Sequence, residues 1–316
     1  MSPQRRQEEA AALSDGGRSR KSPGAPAAGA RSVESLVVRV MKDAEALYRD
    51  LPWRRTRDPY AILVSEVMLQ QTQVTRVLPY YERWLASFPT LESLAAAPLE
   101  FVLEHWQGLG YNRRAIALKR VAERVSESAV PGCAAALPED EAELLALPGI
   151  GPATAAGIRA FAFDRPSTYI ETNVRSVFLH ELFPEADSVP DREIRPYVTA
   201  AVEAAAAQGV DARRWYYALL DYGAELKRSV PNPSRRSAHH TSQSRFEGSS
   251  RQKRAALLRL VMAAPGLTTA DYAAELASRE EAFGRVAPRE GSVRSLLEAL
   301  ASEGFLAEEA DRWRIA

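Results

Sequence analysis

The sequence predicts an all-α domain followed by a small winged-helix-like α+β domain. Between Ser32 and about Lys227, apolar residues recur at spacings of three and four, which is the period of an amphipathic helix. Glycine and proline separate these short segments, and no convincing strand-like alternation lies between them. After a polar stretch, the end of the chain contains three more helical segments and then a short hairpin pattern.

Composition and periodicity divide the chain into four regions. They are a disordered tail over residues 1–31, the helical domain over 32–227, a basic loop or linker over 228–250, and the winged-helix-like domain over 251–316. In the last region we expect helices over about 251–264, 268–278 and 292–302. The Thr268 hydroxyl can cap the second of these, and Gly304 stops the third. A hairpin is expected to turn at Glu308–Asp311.

Charge is unevenly distributed in a chain whose formal net charge is zero. Between Lys227 and Arg254 there are eight lysines and arginines and a single acidic residue, Glu247. Such a basic stripe suits a phosphate backbone, although a solvated linker can have the same composition. From Ala255 onward seven arginines face ten acidic residues. A packing or protein-contact role therefore fits the last domain as well as DNA binding does.

Cysteine usage and hydropathy exclude several protein classes. Cys133 is the only cysteine, which excludes an internal disulfide and a metal site made of cysteines alone. No apolar run approaches the roughly 20 residues that span a bilayer. The N-terminus lacks the apolar core of a signal peptide. We therefore expect a soluble protein of a reducing cytoplasm.

Residues 144–161 predict a helical hairpin that binds DNA. A helix is expected to end at Leu147, a glycine-containing turn follows, and Pro152 opens the next helix, where its missing N–H costs nothing. The exposed N–H groups of the turn and the helix start would form a phosphate site, although an ordinary helix–helix turn can have the same residues. The residues expected to contact the DNA backbone are Pro148, Gly149, Ile150, Gly151, Ala153 and Thr154.

Glu66 is a carboxylate inside an otherwise apolar segment, residues 60–79. On a helix its neighbours three and four positions away include Ile62, Leu63 and Leu69. Burial among such residues raises the pKa of a carboxyl and makes it a proton donor near neutral pH. A buried glutamate paired with an arginine would give the same pattern. The Gln-Gln-Thr-Gln run that follows offers carboxamides that can insert beside bases or bond to their edges.

Four segments together strongly resemble adenine DNA glycosylases of the MutY type, within the endonuclease III superfamily. They are Leu51-Pro-Trp-Arg, Ser65-Glu-Val-Met-Leu-Gln-Gln-Thr-Gln-Val, Gly108-Leu-Gly-Tyr and Leu147-Pro-Gly-Ile-Gly. The likeness covers roughly residues 33–227. It implies a helix-hairpin-helix fold of two helical lobes with a DNA cleft between them, in which the first and last helices build one lobe.

The resemblance also implies roles for matching residues. Glu66 resembles the catalytic acid that protonates the adenine ring, and Asn173 falls where the family helps hold its second catalytic group. The residues at the positions that wedge the base stack open are Gln70, Gln71 and Tyr111. The residues at the positions that contact the flipped adenine are Trp53, Arg54 and Asp221. Ala153 stands where lyase members carry a Schiff-base lysine, which favours hydrolysis without a covalent step.

The chain departs from the family in three respects. Glu171 stands where the family has an aspartate that stabilises the positive charge developing on the sugar. The residues at the four iron–sulfur cysteine positions are Lys227, Ser234, Ser237 and Gln243, so we expect no cluster and no other cofactor. His239 and His240 lack a third ligand in reach by sequence, so we expect no metal. The C-terminal domain that reads 8-oxoguanine in full-length relatives is missing, and the winged-helix-like domain takes its place.

The expected function is base excision repair by a monofunctional glycosylase that removes a mispaired base, adenine opposite guanine or 8-oxoguanine, from double-stranded DNA. The alternatives are a glycosylase for thymine or uracil opposite guanine, a non-catalytic mismatch-binding protein and a winged-helix regulator. The carboxylates at 66 and 171 argue against the second, and the large hairpin domain with an acidic C-terminal domain against the third. We expect a monomer in the cytoplasm, associated with the nucleoid in a prokaryote, whose protein partners the sequence does not reveal.

Overall fold

The computed structural model describes residues 32–241 and 245–316. Over these residues the chain forms fourteen α-helices, two short 3-10 segments and one β-hairpin. The tail predicted for residues 1–31, and Gln243, lie outside the described residues. In the part of the chain described, no helix combines the length and apolar character needed to cross a bilayer.

Eleven helices build the first domain. They are α1 (Val33–Leu47), α2 (Pro59–Leu69), α3 (Val74–Ser87), α4 (Leu91–Ala96), α5 (Leu99–Trp106), α6 (Arg113–Glu127), α7 (Glu141–Leu145), α8 (Pro152–Phe161), α9 (Thr172–Glu181), α10 (Asp191–Ala207) and α11 (Ala212–Ser229). One 3-10 segment, Pro52–Arg54, precedes α2, and the other, Pro233–Arg236, follows α11.

The first domain has two lobes. In one lobe α1 packs against α10 and α11, and α9 packs against α11, so the first and last helices share a lobe as the resemblance implies. In the other lobe α2 contacts α3, α6 and α8, while α4 packs on α6 and α7 on α8. Contacts between α8 and α11 join the lobes. The all-α, two-lobed prediction is therefore confirmed.

Helix α2 lies at the centre of its lobe because its sequence is apolar on every side. Asp58 caps its start by accepting from the backbone N–H groups of Tyr60 and Ala61, at 3.0 and 3.3 Å. Pro59 occupies the first helical position, where no N–H is required. Residues 60–65, 67 and 68 are all buried, and the remaining interior position is Glu66. The fold therefore holds this carboxylate inside the protein.

The C-terminal domain consists of three helices and the predicted hairpin. They are α12 (Ser250–Ala263), α13 (Thr269–Ala282), α14 (Glu290–Ser302), β1 (Leu306–Glu309) and β2 (Arg312–Ile315). The strands are antiparallel, with Leu306 opposite Ile315. Thr268 caps α13 as expected. The prediction that this helix ends near Ser278 is wrong: the strong helix formers at 279–282 extend it until Gly284, which has a φ of +66°.

An ion-pair cluster docks the C-terminal domain on α6. The Glu303 carboxylate accepts from Arg113 at 2.5 and 2.6 Å and from Arg254 at 2.6 Å. The Arg120 guanidinium reaches the Glu303 carbonyl at 3.4 Å. Arg254 was counted in the basic stripe predicted to face phosphate, yet here it serves this contact. The stripe is therefore divided among different surfaces and is not one continuous face.

Candidate active site

Glu66 is held by a phenol and a glycine at the centre of the first domain. The Tyr169 hydroxyl donates to Glu66 Oε2 at 3.1 Å. On α8, Gly157 lies so close that an added Cβ would stand 2.4 Å from the same oxygen. In the described part of the chain the hydrogen-bond partner of this carboxylate is the phenol and not an arginine. The buried ion pair considered as an alternative is therefore not what the structure contains.

Burial raises the pKa of Glu66 to about 8, against a usual value of 4.5. The Tyr169 hydrogen bond opposes this shift, and the negative charge of Glu171 adds to it. Burial also raises the pKa of Tyr169 well above its ordinary value, so the phenol remains a neutral donor. At neutral pH the Glu66 carboxyl is therefore mostly protonated and able to give a proton.

Glu171 caps the N-terminus of α9 with its own side chain. Its Oε1 accepts from the backbone N–H groups of Asn173 at 2.5 Å and Val174 at 3.0 Å. Two backbone donors and the positive end of the helix dipole stabilise an ionised carboxylate here. Glu171 lies near enough for its charge to raise the pKa of Glu66. The site therefore contains one buried carboxyl, Glu66, and one carboxyl that caps a helix, Glu171.

Asn173 bridges this cap to the last turn of α11. Its backbone N–H bonds to Glu171, and its side-chain Oδ1 accepts from Lys227 Nζ at 2.7 Å. Gly223 on α11 packs so closely that a Cβ would lie 2.4 Å from the Asn173 carbonyl oxygen. Two contacts therefore hold the start of α9 against α11: Gly223 packs on the Asn173 backbone, and Lys227 bonds to the Asn173 side chain.

Two of the three residues predicted to contact the flipped base, Arg54 and Asp221, form a buried ion pair. Arg54 donates to both oxygens of Asp221, at 2.6 and 2.9 Å, and Arg49 Nε donates to Oδ1 at 2.5 Å. The Arg54 guanidinium lies 4.5 Å from the centre of the Tyr217 ring. Trp53 is buried as well. The structure thus brings Arg54 and Asp221 together, bonded to each other, and their contact with a base stays a prediction.

The three wedge residues lie on two neighbouring turns. Gln71 and Tyr111 adopt left-handed backbone conformations, with φ of +54° and +49°. Gln70 is exposed, and its amide donates to Thr154 Oγ1 of the hairpin at 3.2 Å. The buried Arg114 joins the turns by donating to the carbonyls of Gln70 at 2.8 Å and of Gly110 at 3.0 Å. Nothing in the sequence distinguishes Arg114 from other arginines of an amphipathic helix, so its role in joining the turns could not be predicted.

A groove of about 1140 Å³ opens between the wedge turns and the C-terminal domain. Residues 70–73 and 107–114 line one side, and Arg251, Arg254 and Arg259 of α12 line the other. Arg251 Nη1 donates to the Tyr111 hydroxyl at 3.1 Å. Glu303, the partner of Arg254, also lines the side formed by the C-terminal domain, but three arginines against one glutamate leave a net positive surface toward the wedge, whereas the chain from Ala255 onward is net acidic.

The hairpin differs from its prediction at one end. Helix α7 ends at Leu145 and not at Leu147, because residues 146–149 form the turn instead. Gly149 has a φ of +79°, and a Cβ on it would lie 2.6 Å from the Ala117 side chain, so a larger residue would strain the turn. Gly151 precedes α8 in an extended conformation and Pro152 opens the helix. Pro152 and Ala153 are exposed, whereas Ile150 and Thr154 are buried.

The chain is similar in sequence to known DNA repair proteins. The sequence pattern of the HhH-GPD superfamily of base excision DNA repair proteins matches residues 64–217. The adenine DNA glycosylase of Mycobacterium tuberculosis is 33% identical over 238 residues, which cover 69% of this chain and 75% of that protein. The chain belongs to the adenine DNA glycosylase family of the HhH-GPD superfamily.

Other relatives of this family match over a smaller part of their length. The adenine DNA glycosylase of Buchnera aphidicola is 37% identical over 131 residues, which are 42% of this chain and 36% of that protein. The chain thus spans about a third of the length of this relative. A solved structure described as a thermostable thymine-DNA glycosylase superposes with a TM-score of 0.51 at 23% identity, over 61% of this chain and 86% of that one. This last likeness supports the fold alone.

Three of the four positions expected to correspond to the iron–sulfur cysteines lie within the described residues, and their side chains are hydrogen-bonded. Lys227 bonds to Asn173, Ser234 Oγ donates to Asn232 Oδ1 at 2.8 Å, and Ser237 Oγ accepts from the His239 N–H at 3.0 Å. None of the three offers a thiolate, so the residues present do not fit a cysteine-bound cluster. No group of three or more histidine, cysteine or acidic side chains suited to a metal occurs in residues 32–241 and 245–316.

Arg236 connects the loop that follows α11 to the main chain at the end of α9. Its guanidinium donates to the carbonyls of Leu179 at 2.9 Å and Pro184 at 2.6 Å, and it also bonds to that of Phe183. The Val189 N–H also donates to the Arg236 carbonyl at 2.9 Å, and the Val189 carbonyl accepts from the Ala238 N–H at 2.9 Å. The loop is therefore tied to the C-terminal end of α9, and Arg236 is occupied there instead of facing solvent.

Two further site residues carry weak or no sequence signals. Tyr169 reads as one more core aromatic, and it does pack edge-on against Phe161 with ring centres 5.3 Å apart. Gly157 gives a better signal, because a glycine inside a helix weakens it and often marks a close approach. Neither could be linked to Glu66 without the packing of α2 against α8.

Proposed function

We propose that this protein is a monofunctional DNA glycosylase that hydrolyses the N-glycosidic bond of a flipped adenine opposite guanine or 8-oxoguanine. One observation carries the proposal: Glu66, with a pKa raised to about 8, shares a site with the helix-capping carboxylate of Glu171. Carboxyls in contrasting environments can divide acid and electrostatic roles. The family supplies the choice of adenine.

In this mechanism Glu66 is the general acid. The Tyr169 hydroxyl bonds to Oε2, which leaves Oε1 to carry the proton. Protonation of the purine ring makes the base a better leaving group, so the glycosidic bond breaks with the electron pair going to the base. Glu66→Gln would keep the shape of the side chain but remove its proton-donating group.

Glu171 would stabilise the oxocarbenium-like sugar that remains. Its carboxylate is held by the N–H groups of Asn173 and Val174, so little reorganisation is needed as positive charge develops. Water then attacks the sugar carbon, the proton that it releases passes to solvent, and solvent returns a proton to Glu66. Ala153 has no amine, so a Schiff base cannot form at that position and an intact strand with an abasic site is the expected product.

Double-stranded DNA with a mispaired or damaged base is the proposed partner. The exposed start of α8 offers backbone N–H groups to a phosphate. Gln70, Gln71 and Tyr111 stand on turns held by Arg114, where they would fill the gap left by the flipped nucleotide. The basic groove beside them suits the opposite strand. We further propose that the protein acts as a monomer, without an iron–sulfur cluster or metal, in the cytoplasm, with the nucleoid if the host is a prokaryote.

A base-release assay tests the proposal. Duplexes carrying each mismatch, uracil and 8-oxoguanine pairs are incubated with the protein and with E66Q, with the exposed Glu104→Gln as the matched control. We expect adenine release by the wild type and the control and none by E66Q, which still binds the duplex. Release of only thymine or uracil opposite guanine would overturn the choice of adenine. Mismatch binding without release of any base would indicate a non-catalytic protein, and efficient borohydride trapping would refute simple hydrolysis.

A further inference from the structure

Lys227 lies in the last turn of α11 and bonds to the start of α9. Its Nζ donates to Asn173 Oδ1 at 2.7 Å. Gly223, one turn earlier, approaches the Asn173 backbone so closely that no larger residue would fit without a shift. This packing fixes the position of α11 relative to α9. It therefore also fixes where the Lys227 ammonium lies relative to Asn173.

The Lys227 ammonium lies near charges of both signs beside Glu171, the residue that caps α9. Glu171 attracts it, while Arg175 and Arg49 repel it, and burial, the largest influence, lowers the pKa of Lys227. Asn173 is bonded to the carboxylate through its backbone N–H and to the ammonium through its side chain. The three residues thus form one connected unit, and Lys227 is its only positive member.

We propose that Lys227 is a positioning residue that holds Asn173 and the Glu171 carboxylate in the geometry needed at the sugar. This inference rests on the proposed function. A glutamate has one more rotatable bond than an aspartate and therefore more freedom to lose on being fixed. Lys227, which lies outside α9, restrains the Glu171 side chain through its hydrogen bond to Asn173 and through its positive charge. Lys227 does not touch the base in this scheme.

The test uses the full chain and three substitutions at this position. K227M removes both the hydrogen bond and the charge, K227Q removes the charge but keeps a donor, and K227R keeps both. Lys119→Met is the matched control, because Lys119 is a partly buried lysine of α6 that donates to the Ala95 carbonyl at 3.0 Å. The measurements are the single-turnover rate of base release, its pH profile, the affinity for duplex DNA with a tetrahydrofuran abasic analogue, and the melting temperature.

We expect K227M to slow base release about ten- to hundredfold, which is the range for loss of a charged hydrogen bond. Its affinity for the abasic duplex should stay within about threefold. The fall in its rate near pH 8, which is set by Glu66, should stay where it is in the wild type, because Lys227 bonds to Asn173 and not to Glu66. K227R should restore most of the rate, K227Q should lie between, and Lys119→Met should match the wild type.

Three results would overturn the inference. One is a K227M rate of base release equal to that of the wild type. Another is a rate loss in K227M and K227Q that only follows their melting temperatures, since that would indicate a purely structural residue. The last is borohydride trapping by the wild type that K227M abolishes, which would make Lys227 a nucleophile. Failure of the proposed function is distinguishable, because the wild type itself would then release no adenine.

Discussion

Gly157 and Glu66 share a space that has no room for a further atom. An ideal Cβ on residue 157 would lie 2.4 Å from Glu66 Oε2 and 2.9 Å from its carboxyl carbon. The carboxylate is the far end of a flexible side chain and can move, whereas the helix around residue 157 need not. The glycine therefore keeps open the place where the acid stands.

Gly157→Ala should lose activity without losing the fold. We expect single-turnover base release to fall at least about tenfold, since an error near 1 Å in a reacting group is costly. The free energy of unfolding should change by no more than about 2 kcal/mol, because the higher helix propensity of alanine offsets part of the cost of crowding Glu66 and the Tyr169 ring. Gly291→Ala in α14 is the control, since its Cβ would meet nothing within 4 Å. An unchanged rate in G157A would refute the role of Glu66 as the acid in this position.

Base release should depend on pH in the manner of a reaction that needs a protonated acid. The pKa of Glu66 is about 8, raised by burial, so the carboxyl is protonated below that value. The single-turnover rate should therefore fall as pH rises through about 8, approaching tenfold per unit. DNA affinity measured across the same range separates chemistry from binding. A rate that increases through pH 8 would indicate that Glu66 acts as a base.

Glu171→Gln separates the capping role of this side chain from its charge. The amide oxygen can still accept the N–H groups of Asn173 and Val174, so the melting temperature should change by no more than about 2 °C. The rate should nevertheless fall about a hundredfold or more, because the negative charge that stabilises the sugar is gone. Glu171→Ala loses the cap as well and should be destabilised by about 1 kcal/mol. Near-normal turnover by E171Q would show that charge at this position is dispensable.

Arg259→Gln tests whether the groove carries a DNA strand. Arg259 is exposed on the groove side of α12, where its Nε donates to the Ala255 carbonyl of its own helix at 3.2 Å. We expect weaker duplex binding and a salt dependence of log K that is shallower by about 0.9 for each phosphate that the variant leaves unneutralised. Arg279→Gln, at an exposed site on α13 away from the groove, should leave both unchanged. Equal effects of the two substitutions would point to nonspecific charge.

Features that depend on neighbouring residues in the chain could be predicted from the sequence. The helical period, the capping threonine at 268 and the apolar setting of Glu66 could all be read from neighbouring residues, and each agrees with the structure. The partner of Glu66 could not be predicted, because Tyr169 is 103 positions away in the chain and looks like core. The bond between Lys227 and Asn173 depends in the same way on how α11 meets α9.

Electrostatic pairing was the hardest feature to foresee. A run of basic residues suggests a face for phosphate, yet Arg254 bonds to Glu303 and Arg236 to main-chain carbonyls. Arg54 and Asp221 could be assigned to one place only through the family, and nothing in the sequence indicates that they bond to each other. Charge counts along a chain do not show which partners folding brings within reach.

The hydrogen bonds of Arg236 have a consequence for the maturation of the protein, because protein groups alone form them. A loop that is closed by a guanidinium and three carbonyls is complete as soon as the polypeptide has folded. Since we propose that no iron–sulfur cluster is bound, newly made protein should become competent without a delivery system for one. Its supply of active molecules should then stay constant when a cell is starved of iron, and also when it is exposed to oxidants, which raise the number of damaged guanines.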